Sequence, residues 1–367
     1  MKPPEEGLAI FLAHLDRRNF PPSEKVAVAE ARGRVTAGPV YARLSSPHFH
    51  TAAMDGFALI AESTFGAGPD NPMKLRIGSD AWPVNTGRPL PAHADAVVMI
   101  ENVHFLDDET FEIDQALVPW ENVRRVGEDF VASEMILPGR HCITAYEQGA
   151  LLAGGIAAVE VIERPRVVLI PTGSELVEAD TLSEKDPAHG ESLEFNTVVL
   201  AGLVEQAGGI ARRTSIVADT FAEVKSAIME AVRSDAHLVV MNAGSSAGSE
   251  DYTAAAIGEL GEVLVHGVAM MPGKPTILGI VDGKPVIGNP GYPVSAVLSF
   301  EVFALPVLHT MLGLPHYHRP TIPAVTARKI PSKLGREEFF RVKLGKVGGR
   351  VIAAPLPRGA GSITTLT

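Results

Sequence analysis

Between Arg164 and Leu314 the chain alternates short apolar runs with longer amphipathic ones, and no other feature constrains its fold as strongly. Arg166 to Ile170 (RVVLI) is a continuous apolar run, the pattern of a strand buried on both faces. The spacing then predicts a helix over Phe195 to Gln206, a strand over Arg212 to Val217, a helix over Phe221 to Arg233 and a strand over His237 to Met241. Pro285 to Ile287 reads as a further strand ahead of the long apolar stretch Pro293 to Leu314. Strands alternating with helices build βαβ units around a mostly parallel sheet, so 164–315 is expected to be an α/β domain.

The flanks read differently. Residues 5–36 suggest two short helices, the second N-capped by Ser23. Residues 38–134 carry short apolar runs punctuated by Gly, Pro, Asn and Asp, a β-rich pattern. A helical patch at Ala145 to Gly154 precedes the strand-like Ala158 to Ile162, and 319–367 returns to β character. At 367 residues the chain has room for about two to three domains. Its net charge of −11 and lack of basic runs argue against nucleic acid or an anionic membrane as partner. The one cysteine, Cys142, cannot form an internal disulfide, which suits a reducing, cytoplasmic setting. The N-terminus has no signal-peptide pattern. Pro293 to Leu314 is long enough to span a bilayer, but Glu301, Pro306 and His309 interrupt it, so a buried core helix is expected.

Several catalytic signatures fail on their chemistry. GVAMMPGK (267–274) is one residue too long for a Walker A loop and runs into Pro275, which has no N–H for a phosphate. There is no GxGxxG after a strand and no HExxH. The HxH pairs at His48/His50 and His316/His318 have no third ligand nearby in sequence and read as loop histidines. Gly244-Ser245-Ser246-Ala247-Gly248 fits GxSxG after a strand, with Ser246 as a hydrolase nucleophile. However, helix-compatible sequence begins only near Thr253, and no oxyanion loop is evident.

Three Gly- or Pro-bearing turns follow strands: Thr172-Gly173-Ser174-Glu175, Ala243 to Asp251, and Gly288 to Pro293. A parallel sheet places such turns at the carboxyl ends of its strands, where open α/β folds bind ligands. Together with Lys274 they can form an anion cradle from helix starts and exposed N–H groups. Asp55, Asp129, Glu175, Asp219 and Asp251 stand in similarly marked contexts; carboxylates beside bound phosphate suit a bridging divalent cation. The residues alone point to a phosphorylated metabolite and Mg²⁺, without fixing the reaction.

The ordered motifs SSPHFHTAAMDGFAL (45–59), NTGRPLPAHADAVVMIENV (85–103), RRVGEDF (124–130), ERPRVVLIPTGSELVE (163–178), NAGSSAGSEDYT (242–253), PGKPTILG (272–279) and GNPGYPVSA (288–296) resemble those of the molybdopterin molybdenumtransferases, the MoeA and gephyrin E-domain type. The resemblance implies an elongated helical domain (1–40 and 135–163), an inserted β-rich module (41–134), an α/β molybdopterin-binding domain (164–315) and a small C-terminal β-barrel-like domain (316–367). It implies a cytoplasmic homodimer that inserts molybdate or tungstate into adenylylated molybdopterin and releases AMP with Mg²⁺ support. Carried over position by position, Asp55, Thr86, Asp129, Glu175, Asp219 and Asp251 would line the cleft, with Asp55, Asp129 and Asp251 at the metal. Thr172, Gly173, Gly244, Ser245, Ser246, Gly248, Pro290, Gly291, Tyr292, Pro293 and Ser295 would bind the substrate, and Lys274 would neutralise oxyanions. The chain departs from the family where AGSSAG replaces GGVSVG, PGYP replaces PGNP, and Gly267 and Met271 replace two lysines. The family also continues past the position of Thr367, as though this chain were shortened or one module of a longer polypeptide. A catalytically impaired molybdopterin-binding relative and a serine hydrolase remain alternatives.

Overall fold

The computed structural model describes residues 1–183, 185–242, 249–315, 320–357 and 359–367, without the side chains of Ser183, Ser249, Glu250 and Asp251. The chain divides into two compact units, Lys25–Val161 and Met1–Glu24 with Ile162–Thr367.

The second of these holds a six-stranded sheet. Its strands are β1 (Arg166–Pro171), β2 (Ile210–Arg213), β3 (Leu238–Asn242), β4 (Glu262–His266), β5 (Ile277–Val281) and β6 (Lys284–Asn289), in the spatial order β2-β1-β3-β6-β5-β4. All pairings among β2, β1, β3 and β6 are parallel, and β5 runs against both neighbours. The mostly parallel sheet expected from RVVLI and its successors is therefore present. Helices α1 (Asn196–Gln206), α2 (Phe221–Arg233), α3 (Ser249–Leu260) and α4 (Pro293–Leu312) connect or follow the strands. Two apolar clusters build the core: one joins Val167, Val240, Leu278 and Phe303, the other Val168, Ile170, Val239 and Ile228. The N-terminal helix Pro4–Ala13 packs Phe11 into the first cluster.

Helix α4 is long and apolar enough to cross a membrane by length and composition, but 67% of its most apolar window is buried inside the protein. Phe300, Phe303, Val307 and Leu308 are its inward face. A π-helical turn at Phe300–Ala304 precedes Pro306, whose ring nitrogen cannot complete the regular ladder.

In the unit Lys25–Val161, Gly56–Leu59 is the centre of an antiparallel sheet, flanked by Ala81–Val84 and Ala96–Met99. A second sheet centres on Thr110–Ile113. Phe57, Leu59, Val98, Phe111 and Ile113 pack between them. The segment after Ser23 corrects the sequence expectation: Ser23–Ala27 is a strand paired with Ala158–Ile162, not a helix. Its Glu-Lys-Val-Ala-Val run pairs more backbone that way than an isolated short helix could satisfy. Within 1–40 and 135–163 the α-helices are Pro4–Ala13 and Ala145–Ala153, the latter started by a Thr144/Glu147 capping box.

Small strands close the C-terminal region: Val325–Thr326, Val342–Val347 and Arg350–Pro355 form one sheet.

Candidate active site

Strand order fixes where a ligand can sit. From β1 the chain moves outward to β2, then returns to β3 on the other side of β1. The crevice above β1 and β3 is thus the switch point where doubly wound sheets bind ligands. Pro171 pairs with Asn242, Asn242 with Asn289, and Gly288 with Ile277, so β1, β3, β6 and the start of β5 reach one edge together.

Glu175 sits beyond the end of β1. Gly173 before it has φ +154, and a Cβ there would lie 2.9 Å from Glu175 Oε2, so only glycine lets the carboxylate fold back against the chain. Thr172 is buried, and its N–H donates to the Asn242 carbonyl at 3.0 Å. Thr172 also bridges Val217, which brings the β2–α2 loop and Asp219 to this edge, just before Thr220 caps α2. Glu175, Phe195, Asn196, Asn242, Gly291 and Tyr292 line one hollow of about 200 Å³. Asn196 Nδ2 donates to the Gly291 carbonyl at 2.7 Å and ties the start of α1 to the Pro290–Pro293 turn. Lys274 is exposed in the loop before β5, at the same edge.

Two of the cradle residues are buried. Ser295 is buried at 5% exposure within the first turn of α4, and Pro290 is buried beneath the turn. The Val294 N–H already donates to the Ala360 carbonyl at 2.9 Å, so a C-terminal segment occupies part of the α4 start. Gly244, Ser245, Ser246 and Gly248, with the hydrolase reading of Ser246, lie outside the described residues, as does the Asp251 side chain. Helix α3 begins at Ser249, earlier than Thr253, because Ser249, Glu250 and Asp251 all suit a helix start.

In the other unit, Asp55 and Thr86 are brought together. The Thr86 N–H and Oγ1–H donate to Asp55 Oδ1 at 2.7 and 2.9 Å. These bonds, the backbone one first, hold the Asp55 carboxyl below the usual carboxylate range. Gly56, next in sequence, lets its strand lie close against Ala96–Met99: a Cβ there would lie 1.9 Å from the Val98 carbonyl oxygen. Asp129 is exposed on a loop whose N–H groups dock on the Ser46 and Pro47 carbonyls. No group of three His, Cys, Asp or Glu among the described residues is spaced to hold a metal ion. His50 accepts from the Val126 N–H at 3.1 Å and packs on Trp120, which makes it a loop-fixing histidine; His316 and His318 lie outside the described residues.

Residue-type reasoning missed a cluster around the buried Glu194 at the wall of the hollow. Glu194, 1% exposed, accepts from the Thr197 N–H and Oγ1–H at 2.8 and 2.6 Å. Arg213 donates to Glu194 at 3.1 Å and to Thr197 Oγ1 at 2.7 Å. The signal was an acidic residue just ahead of a helix start.

The comparisons agree with the motifs. The family models for the MoeA N-terminal region (domain I and II), the "Probable molybdopterin binding domain" and the MoeA C-terminal region (domain IV) match residues 2–155, 168–310 and 323–367. Molybdopterin molybdenumtransferase 2 of Mycobacterium tuberculosis is 36% identical over 352 residues, covering 89% of this chain and 85% of that protein. The molybdopterin molybdenumtransferase of Haemophilus influenzae is 28% identical, with 89% and 83% covered. The crystal structure of a molybdopterin biosynthesis MoeA protein from Pyrococcus horikoshii superposes with a TM-score of 0.82 at 30% identity, covering 99% of this chain and 91% of that one. The chain belongs to the MoeA family of molybdopterin molybdenumtransferases, and is a transferase of molybdenum cofactor biosynthesis.

Proposed function

We propose that the chain inserts molybdate, or tungstate, into adenylylated molybdopterin and releases AMP, acting as a cytoplasmic homodimer. The observation that carries the reading is the gathering of Thr172, Glu175, Asn242 and the Pro290–Pro293 turn at the β1/β3 switch point. Cleaving an anhydride between two anions demands charge neutralisation and positioning rather than a covalent nucleophile, a demand that Lys274 and a divalent ion would meet. Asp55, Asp129, Glu175, Asp219 and Asp251 are the acidic set of the reaction; Thr86 holds Asp55 ionised and oriented.

Mg²⁺ takes oxygen ligands, commonly one or two carboxylates completed by substrate phosphates and water, and an exposed, ionised Asp55 suits it; Asp129 and Asp251 are the other carboxylates that the family motifs assign to the ion. When bound, the ion neutralises developing charge on the phosphoanhydride oxygens. Lys274 adds a cation at the oxyanion end, and Met271, 37% exposed, stands where the family has a lysine. The domain expectation, with helical, β-rich, α/β and C-terminal β parts, belongs to the same proposal.

The test is AMP release from adenylylated molybdopterin by the full chain. The reading expects release that needs both molybdate and Mg²⁺ and that falls sharply in Asp251→Ala. Molybdopterin binding with no release favours the impaired-relative reading, which rests on the missing lysines at 267 and 271.

A further inference from the structure

Two hydroxyls lie where the apolar core leaves least place for them. Thr276 and Ser299 are each 0% exposed, in segments whose neighbours Leu278, Leu298 and Phe300 belong to that core. A hydroxyl at such depth is costly unless it is bonded, so the pair persists only where its bonds are complete.

Those bonds run in one direction. The Gly273 carbonyl can only accept, so the Thr276 Oγ1–H donates to it at 2.8 Å. That uses the one hydrogen of the Thr276 hydroxyl. Ser299 Oγ, 2.9 Å from Thr276 Oγ1, is therefore the donor of the next bond. The relay runs from Ser299 on α4, through Thr276 just ahead of β5, to the main chain of Gly273.

The far end of the relay is the turn that carries Lys274. The Thr276 N–H also donates to the Gly273 carbonyl, at 3.2 Å, and the Lys274 carbonyl accepts from the Val268 N–H at 2.9 Å. Gly273 has φ +111, and a Cβ there would lie 2.3 Å from Met270 Cε, so the turn is seated hard on the buried Met270. Lys274 stands exposed at its corner. The near end of the relay is α4. Ser299 lies about 9 Å of helix rise beyond Pro293, where the Pro290–Pro293 turn enters the helix. The helix that leads away from that turn thus holds the lysine turn as well.

We propose that Thr276 and Ser299 are positioning residues of the oxyanion step: acting through Gly273, they hold Lys274 at a fixed place relative to the Pro290–Pro293 turn, so that its ammonium meets the oxyanion without reordering the loop. The inference rests on the reading of Lys274 as the cation for the oxyanion and adds which buried groups aim it. An apolar pair of the same size would fill the core as well, but would leave the Gly273 carbonyl with the Thr276 N–H alone.

The full chain is titrated with molybdate alone by calorimetry, and the melting temperature of each variant is recorded. Lys274→Ala is expected to weaken binding about tenfold or more. Thr276→Val, which keeps the shape and removes the hydroxyl, is expected to weaken it about five- to tenfold, and Ser299→Ala several-fold. Thr276→Ser keeps the hydroxyl and should hold affinity within about twofold, although loss of a buried methyl lowers its melting temperature. In a Lys274→Ala background, Thr276→Val should weaken binding no further. Wild-type affinity in Thr276→Val, an equal loss in Thr276→Ser, or the same loss with and without Lys274 would overturn the inference and leave the role of Lys274 in place. Molybdate that fails to bind wild type, or that binds Lys274→Ala equally well, would remove the reading of Lys274 and the inference with it. A chain that binds molybdate in the expected pattern and yet releases no AMP keeps the inference and loses the catalytic reading.

Discussion

Asp55 and Thr86 show how little is needed to fix a carboxylate at an exposed position. Two donors from one residue, at 2.7 and 2.9 Å, hold Asp55 ionised without burial. Removing the hydroxyl with Thr86→Val should raise the Asp55 pKa toward its ordinary value. The acid limb of the AMP-release profile should then move to higher pH, with turnover down about tenfold; an unmoved limb would separate Thr86 from Asp55. His237 makes the opposite case. Burial, then the charges of Arg166 and Lys284, push its pKa down to about 4. Its Nδ1 accepts from the Arg166 N–H at 2.9 Å, which requires the neutral ring. The unfolded chain binds that proton near the ordinary 6.5, so the stability contribution is complete above that pH and is lost as pH falls from about 6.5 through about 4. The loss is on the order of 2–3 kcal/mol, and His237→Asn should flatten that part of a melting-temperature-against-pH curve.

At the scale of elements, what could be read from sequence followed from periodicity. RVVLI, the 3.6-residue pattern of Phe221–Arg233 and the apolar α4 each state their burial in their own residues. The segment after Ser23 does not, because its pairing partner, Ala158–Ile162, is distant in sequence and its own pattern suits either state. The same limit hid Asn242 and Asn289: neither is marked by a local motif, and only the register of β3 and β6 makes them a pair. Glu194, Thr197 and Arg213 likewise meet across the start of α1 and the end of β2. Breaking this cluster leaves a buried charge uncompensated, so Arg213→Ala should destabilise the chain by on the order of 3 kcal/mol. Arg213→Lys should recover part of that loss, and chemical denaturation checks both. Phe303→Ala, at the centre of the α4 face, should cost about 3–5 kcal/mol by the same measurement, because Phe303 is 0% exposed.

Across the whole molecule, two units each close their own core, and the acidic residues that the family motifs mark are shared between them: Asp55 and Asp129 in one, Glu175, Asp219 and Asp251 in the other. The family was legible from the order of its motifs because those motifs are strand-end turns and glycine positions whose backbone geometry leaves little choice of residue, as Gly56 and Gly173 show. Which side chains meet in the hollow was not legible, because Glu175, Asn196 and Asn242 come together only through the sheet and the turn after β6. The central claim is that the carboxyl ends of β1, β3 and β6 form the seat of the pterin substrate. A crystal structure of the full chain with molybdopterin bound tests it most directly. The account predicts molybdopterin at those strand ends, beside Glu175 and the Pro290–Pro293 turn. Molybdopterin seated away from those strand ends would contradict it.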